Sequence, residues 1–480
     1  MHCFTKATAA FKLFLMAAYT NEDKVFRINN RLCYFSNNGA HLAVAFQSNL
    51  LIKDSKTLDT RHSFVFTDII QYMEWSPNSE YILCANIKKA IVQVYSVHHP
   101  QWKCKLTESS AGLQSVAWSP DSKCILTIAD FNIQISIWNL CDQIVSYIQN
   151  VKTSAFDKLR FSPNGTKLAV IITEENKDIV EIYKTDNWKI SRKLICDRLR
   201  NIDGIRWSPN DELLCIWCSS PAEPKLIVYS TIWEKHVVAF SPLEIAQSEI
   251  AYSSERKLKG IENIEWIPSG QLLAVIGFNE MIVLLNYITW TPLSQLYLDP
   301  VIRECNYLTK VYKERIDSGE NPSKCIVSCN ERVLREIHER PIYIEIGKKN
   351  ASNNFSVAKV NLFEFSGCGQ YLAMKHELYP TTLWIWDIFT DYLDYLLLEN
   401  PILGMLLSLF VAIKWNPVHP QLLIFSEYTT RVYEWTRKGA RMLPMSKYMS
   451  VVDAHWHPTG DKVALCSYNK AIIYEITDIS

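Results

Sequence analysis

One short phrase recurs nine times along this chain and constrains its fold more than any other feature. A large aromatic is followed by Ser-Pro, then Asn or Asp, then Gly, Ser or Asp, and then an apolar strand. Trp75-Ser76-Pro77-Asn78-Ser79, Trp118-Ser119-Pro120-Asp121-Ser122, Phe161-Ser162-Pro163-Asn164-Gly165 and Trp207-Ser208-Pro209-Asn210-Asp211 are clear copies. Looser copies begin at Phe35, Trp266, Phe365, Trp415 and Trp456. Phe35 and Trp75 are 40 residues apart, Trp75 and Trp118 are 43, and Phe161 and Trp207 are 46. A second landmark trails the anchor by 20 to 22 residues: an alternating strand ending in an aromatic, such as Gln93-Val94-Tyr95, Ser136-Ile137-Trp138 or Glu181-Ile182-Tyr183. A period near forty residues predicts a β-propeller array.

The phrase has a physical logic. Ser at the first turn position, Pro at the second and Gly at the fourth suit a type I turn. The aromatic before the turn is large enough to fill the space between neighbouring blades. Lys167-Leu168-Ala169-Val170-Ile171-Ile172 reads as a strand buried on both faces. Helical periodicity of comparable strength is missing between anchors, which disfavours an α/β fold. Trp386-Asp387 spells the WD dipeptide. The expected fold is therefore all-β: a WD-repeat β-propeller of about nine blade-like units. A single ring of eight or nine comes first, and two smaller or incomplete rings second.

Four segments are expected. Residues 1–23 are an N-terminal extension, 24–298 the first part of the propeller, 299–354 an exposed, partly disordered insertion, and 355–480 the second part. The insertion is rich in Lys, Arg, Glu and Asn and lacks an anchor. The last unit, ending near Ile476, has no room for a fourth strand. Lys24-Val25-Phe26-Arg27-Ile28 is expected to supply it.

Composition excludes several function classes. Fifty basic residues balance fifty acidic ones, so the chain has no overall attraction to nucleic acid or to an anionic membrane. Fourteen cysteines are too dilute for a disulfide scaffold and sit mostly in apolar strands, as buried thiols in a reducing compartment do. Phe11–Ala18 is interrupted by Lys12, unlike a signal sequence. The apolar run from Ile402 to Ile413 is too short to span a bilayer and reads as a blade strand with a local insertion.

Candidate chemistry is sparse. Cys215-Ile216-Trp217-Cys218 matches C-x-x-C but lies in a strand, where residues three apart point to opposite faces. His455-Trp456-His457 puts two histidines on one strand face without a third ligand. Cys325 and Cys329 lack a second pair. Phosphate-loop and nucleophile motifs are missing, so no enzyme, cofactor or metal is expected. Three tryptophans, Trp102, Trp188 and Trp290, each follow a third strand by a few residues. They either staple the outer strand or form an aromatic rim for a partner.

The strings also resemble a known family. Ala111-Gly112-Leu113 before Trp118, Ile137-Trp138-Asn139-Leu140-Cys141, Ser146-Tyr147-Ile148, Val92-Gln93-Val94-Tyr95-Ser96, Trp102-Lys103-Cys104-Lys105 and Val311-Tyr312-Lys313-Glu314 are similar to the WRAP family of centrosomal WD repeat proteins. The resemblance covers roughly residues 24–314 and 357–476, while 1–23 and 403–410 look like additions to it. It implies a noncatalytic scaffold of the cytoplasm and cytoskeleton, at centrosomes, spindle poles and centriolar satellites. The implied partner is a coiled-coil centrosomal protein of the Msd or SSX-interacting type, with a minus-end-directed kinesin as a further one. The implied role is anchoring microtubule minus ends, with support of spindle organisation and cilium assembly; neither nucleic acid nor membrane is an implied partner. The alternatives are a ribosome- or RNA-associated large-ring propeller, which needs a basic face, and a propeller hydrolase, which needs a nucleophile.

Overall fold

The structure, a computed structural model, describes residues 25–476 apart from 108–111, 130–133, 153–157, 197–198, 200, 221–224, 234, 241–257, 304–308, 317–331, 348–359, 391, 398–410, 427–429, 444 and 446–448. The N-terminal extension, the addition near 403–410, and Cys325 and Cys329 lie outside the described residues. Among those described there is no helix. Nine antiparallel blades follow one another as a β-propeller arrangement, each strand pairing with the next in sequence.

The chain divides into two compact units, residues 1–107 with 410–480, and 108–409. The first holds blades 1 (Cys33–Phe35 to Thr60–Val65), 2 (Tyr72–Trp75 to Lys103–Thr107) and 8 (Val411–Trp415 to Gly439–Leu443). Its blade 9 runs Asp453–Trp456, Lys462–Cys466, Lys470–Glu475, and then Val25–Arg27 as the outer strand. Val25 pairs with Ile472 and Arg27 with Lys470, so the start of the chain completes its last blade as the strand count required. The second unit holds blades 3 (Leu113–Trp118 to Val145–Gln149), 4 (Leu159–Phe161 to Ile190–Ile195), 5 (Gly204–Trp207 to Lys235–Phe240), 6 (Asn263–Trp266 to Pro292–Tyr297) and 7 (Val360–Phe365 to Tyr392–Leu397).

The anchors do what their size demands. Trp75, Trp118, Trp207 and Trp266 are buried at the ends of inner strands. Anchor indoles also reach the preceding blade. Trp75 donates to the Tyr34 carbonyl (3.1 Å), Trp207 to that of Arg160 (2.9 Å) and Trp456 to that of Lys414 (3.2 Å). Each acceptor is the residue just before the preceding blade's own anchor. Apolar clusters fill the spaces between blades; one joins Cys215, Trp217 and Val228 of blade 5 to Trp266, Val275 and Val283 of blade 6. Blades 3 to 5 carry a buried ion pair. Lys152 bonds Asp178 (2.6 Å), Asn201 (2.5 Å) and the Ile202 carbonyl (2.7 Å).

The stretch 299–354 departs from the expected exposed insertion. Val311–Ile316 pairs in parallel with the outer strand of blade 7, Val311 opposite Tyr395, and Arg332–Glu336 adds a further antiparallel strand. Val311, Tyr312 and Glu314 are buried. Val301–Ile302 pairs with Ile342–Tyr343. A blade's outer strand leaves a row of unpaired backbone groups, and this segment satisfies them from the same chain.

Candidate interaction surface

The repeated turns build one surface per blade. In the first turn, between inner and second strands, the Ser hydroxyl accepts a backbone N–H five residues on: Tyr81 to Ser76 (2.9 Å), Cys124 to Ser119 (2.9 Å), Lys167 to Ser162 (3.0 Å), Leu213 to Ser208 (2.9 Å). That hydroxyl donates to the Asn or Asp two residues on, as Ser76 does to Asn78 (2.7 Å) and Ser162 to Asn164 (2.8 Å). The fourth residue is left-handed in eight of the nine turns, blade 8 being the exception, which is why Gly recurs there: Gly39, Gly165, Gly270, Gly369 and Gly460, with Ser79, Ser122 and Asp211 substituting.

The third turn, between third and outer strands, is fastened to the first. Its leading N–H donates to a carbonyl of the first turn in blades 1 to 7. Examples are Ser55 to Ala40 (3.1 Å), Leu140 to Lys123 (2.9 Å), Thr185 to Thr166 (3.1 Å) and Thr231 to Glu212 (2.9 Å). In blades 1, 3, 4, 5, 6 and 7 this turn has four loop residues, since the last-but-one residue of the third strand pairs seven residues on. Where Asp or Asn ends the third strand, its carboxylate or amide oxygen caps the loop, as Asp54, Asn139 and Asn286 do. Asp387 of the WD dipeptide has this job, accepting the Phe389 N–H (3.2 Å) and the Gln370 amide (2.9 Å).

This loop decides where each tryptophan goes. Trp188 and Trp290 occupy its fourth position, with φ of +55° and +57°. Their rings fold back on the anchors of their own blades, Trp188 against Phe161 (centroids 6.5 Å apart) and Trp290 against Trp266 (6.3 Å). Trp102, in the longer third turn of blade 2, leans on Tyr81 at 5.2 Å and remains 37% exposed. Each of the three thus packs within its own blade. The most exposed tryptophan is one that the phrase did not single out. Trp233 sits at the third loop position of blade 5, one residue short of the inward-facing place, and is 71% exposed. The signal was available: Trp233 follows the end of its third strand, Ser230, by three residues, whereas Trp188 and Trp290 follow theirs by four.

The remaining candidates have structural places. Cys215 packs between blades 5 and 6, and burial pushes its thiol well above the usual range. Cys218, buried at the end of the same strand, has Asp203 and Lys152 as its electrostatic neighbours instead. The histidines join blades 9 and 1. His455 packs at a tilt against Tyr34, ring centroids 4.2 Å apart, and burial drives its imidazole down to about 4 despite Asp453 at 3.5 Å. His457 bonds the Gly39 carbonyl (2.8 Å) and Thr459 (2.6 Å). Among the described residues no group of three or more His, Cys, Asp or Glu side chains is placed to hold a metal ion.

Comparison with known proteins bears on the same geometry. The mouse WD repeat-containing protein WRAP73 is 30% identical over 459 residues, 93% of this chain and 94% of that protein. The chain belongs to the WRAP73 family of WD repeat proteins. An uncharacterized WD repeat-containing protein of Schizosaccharomyces pombe is 21% identical over 78% of this chain and 72% of its own length. Subunit 1A of the actin-related protein 2/3 complex from Arabidopsis thaliana is 23% identical over 54% of this chain and 70% of its own. No protein-family model matches. For this family member, the recurrent anchors and turns are the scaffold, and the residues left outside that scaffold are the candidates for contact with partners.

Proposed function

We propose that this chain is a noncatalytic scaffold of centrosomes, spindle poles and centriolar satellites. There it holds a coiled-coil partner of the Msd or SSX-interacting type, and with it anchors microtubule minus ends and supports spindle organisation and cilium assembly. A minus-end-directed kinesin is a further partner in this reading. Membership of the WRAP73 family along nearly the whole chain is the observation that carries it. Two structural facts support the noncatalytic half. The Ser, Asn and Asp side chains of the repeats are committed to turn hydrogen bonds. The thiols of Cys84, Cys124 and Cys215 are raised by burial, which makes them poor nucleophiles. The blades also leave aromatic side chains exposed on turns, Trp102 and Trp233 among them, which suit protein contact.

The test is localisation with loss of function in the cells of the source organism. A fluorescently tagged chain should collect at spindle poles through mitosis, and depletion should shorten spindles or make them monopolar. A purified coiled-coil partner should bind the chain directly. A diffuse signal with normal spindles, or failure of that binding, overturns the proposal. Of Trp102, Trp188 and Trp290, Trp102 keeps the most surface for such contact.

A further inference from the structure

An outer strand leaves a row of unpaired backbone groups, which proteins blunt with charge, proline, a bulge or a covering strand. The blades use these devices in turn. Basic residues stand on the outer strands of blades 1 (Arg61), 2 (Lys103, Lys105), 4 (Arg192, Lys193), 5 (Lys235), 8 (Arg441) and 9 (Arg27). Blade 6 opens its outer strand with Pro292 and bulges beside it. Blade 7 is covered by Val311–Ile316. Among the described residues blade 3 has none of these. Its outer strand reads Val145-Ser146-Tyr147-Ile148-Gln149, pairs without a bulge along its inner side, and has no strand on its outer side.

The covered edge and the bare one correspond residue by residue. Trp386-Asp387 ends the third strand of blade 7 as Trp138-Asn139 ends that of blade 3. Asp387 lies opposite Tyr392, and the Asn139 N–H donates to the Ile144 carbonyl (3.0 Å). Three residues on from these pairs, Tyr147 is the counterpart of Tyr395. Bonded pairs alternate along an antiparallel ladder. Ser146 and Ile148 therefore bond inward, as Ile144 does, while Val145, Tyr147 and Gln149 turn their N–H and C=O outward. In blade 7 the Tyr395 N–H donates to the carbonyl of Lys310, the residue before the added strand (2.9 Å). The Tyr395 ring shares a cluster with Val311, Ile302 and Ile344 and is 6% exposed. The Tyr147 ring is 56% exposed, and Ile144, just before the strand, is 62% exposed.

We propose that the outer edge of blade 3 is a docking site for an extended segment of another protein, added as a further strand parallel to Val145–Gln149 with an apolar residue against Tyr147. The occupied edge of blade 7 selects this occupant. There the equivalent row of backbone groups is met by an extended strand, in parallel, with Val311 opposite the equivalent tyrosine. A helix has its backbone groups bonded within itself and offers none to such a row. A second copy would bring its own open edge across a two-fold axis, antiparallel rather than parallel. Main-chain bonds then give the affinity and the residue against Tyr147 the selectivity. The site goes beyond the centrosomal reading and does not depend on it.

The probe is a library of short random peptides displayed on phage and selected against the full chain, with the strongest binder then synthesised. Residue-resolved amide exchange is followed with and without it. In the free chain the Tyr147 amide should exchange fast, and the peptide should slow exchange at Val145, Tyr147 and Gln149. Tyr147→Pro removes the central outward donor and spares the inner ladder. It should weaken peptide binding about tenfold with melting temperature unchanged. Tyr147→Lys, which keeps the backbone and adds an edge charge, replaces it should proline disturb folding, and should weaken binding in the same sense. A slow Tyr147 amide in the free chain means that the edge is already covered by the chain itself. Protection that grows with protein concentration alone means a second copy, and protection elsewhere or equal affinity for the variant means another surface. Each of these overturns the proposal, as does a selection that yields no binder.

Discussion

Gly165 and Gly270 share a left-handed backbone, φ of +73° and +75°, but not a neighbourhood. A Cβ on Gly165 would lie 2.6 Å from the Pro120 ring of the preceding blade's turn, whereas on Gly270 the nearest atom, of Pro209, is 3.7 Å away. The backbone penalty alone is about 1 kcal/mol, and Ser79, Ser122 and Asp211 sit at the equivalent place. Gly270→Ala should therefore cost about 1 kcal/mol and Gly165→Ala about 2–3 kcal/mol, because a ring on the neighbouring turn must also move. Denaturant titration of both variants checks the difference; equal costs would mean that the turns do not interlock. At this scale the sequence was informative. Gly, Ser or Asp after Ser-Pro-Asn announces a turn whose last residue needs positive φ, since few other residues adopt it. What could not be read was which glycine touches a neighbouring proline.

Among the elements, the four-residue third turn sorts side chains by position. Trp188→Ala and Trp290→Ala should each cost about 1–3 kcal/mol, because these rings pack on Phe161 and Trp266. Trp233→Ala should stay within about 0.5 kcal/mol, since its ring is largely in solvent. Thermal melts of the three variants separate the classes, and a large loss for Trp233→Ala would refute the one-residue offset. The contact of blades 9 and 1 titrates. His455 is held neutral by burial, with its pKa near 4 in the folded chain against about 6.5 when unfolded. Below about pH 6.5 the unfolded chain binds the proton first, so stability falls with pH and the loss levels off below about 4. His41 and His376, also lowered by burial, act in the same sense. Melting temperature should therefore drop less between about pH 7.5 and 5 in His455→Gln than in wild type, and parallel profiles would rule the histidine out. The strand Val311–Ile316 was not legible, because Lys313, Glu314 and Arg315 look like a solvated run. Its pairing depends on an open edge of blade 7, contributed by residues about eighty positions later.

For the molecule as a whole, the decisive element is the earliest described strand. Val25–Arg27 is the outer strand of blade 9, paired with Lys470–Glu475. A chain lacking residues 1–27 should melt several degrees below one lacking only 1–23, because a sheet edge opens and Phe26 loses its packing. Identical melting curves would show that blade 9 is stable with three strands. From the sequence alone one can derive the all-β class, the nine anchors, the buried Trp118 and Trp207 and the N-terminal strand of the last blade. These rest on local turn chemistry and on a two-residue strand period, both written along the chain. Tertiary structure alone decided that a charged segment joins blade 7. It also decided that Trp188 and Trp290 face their anchors while Trp233 faces solvent. Each of these depends on which residues, distant in sequence, end up opposite one another, and spacing along a chain does not carry that information.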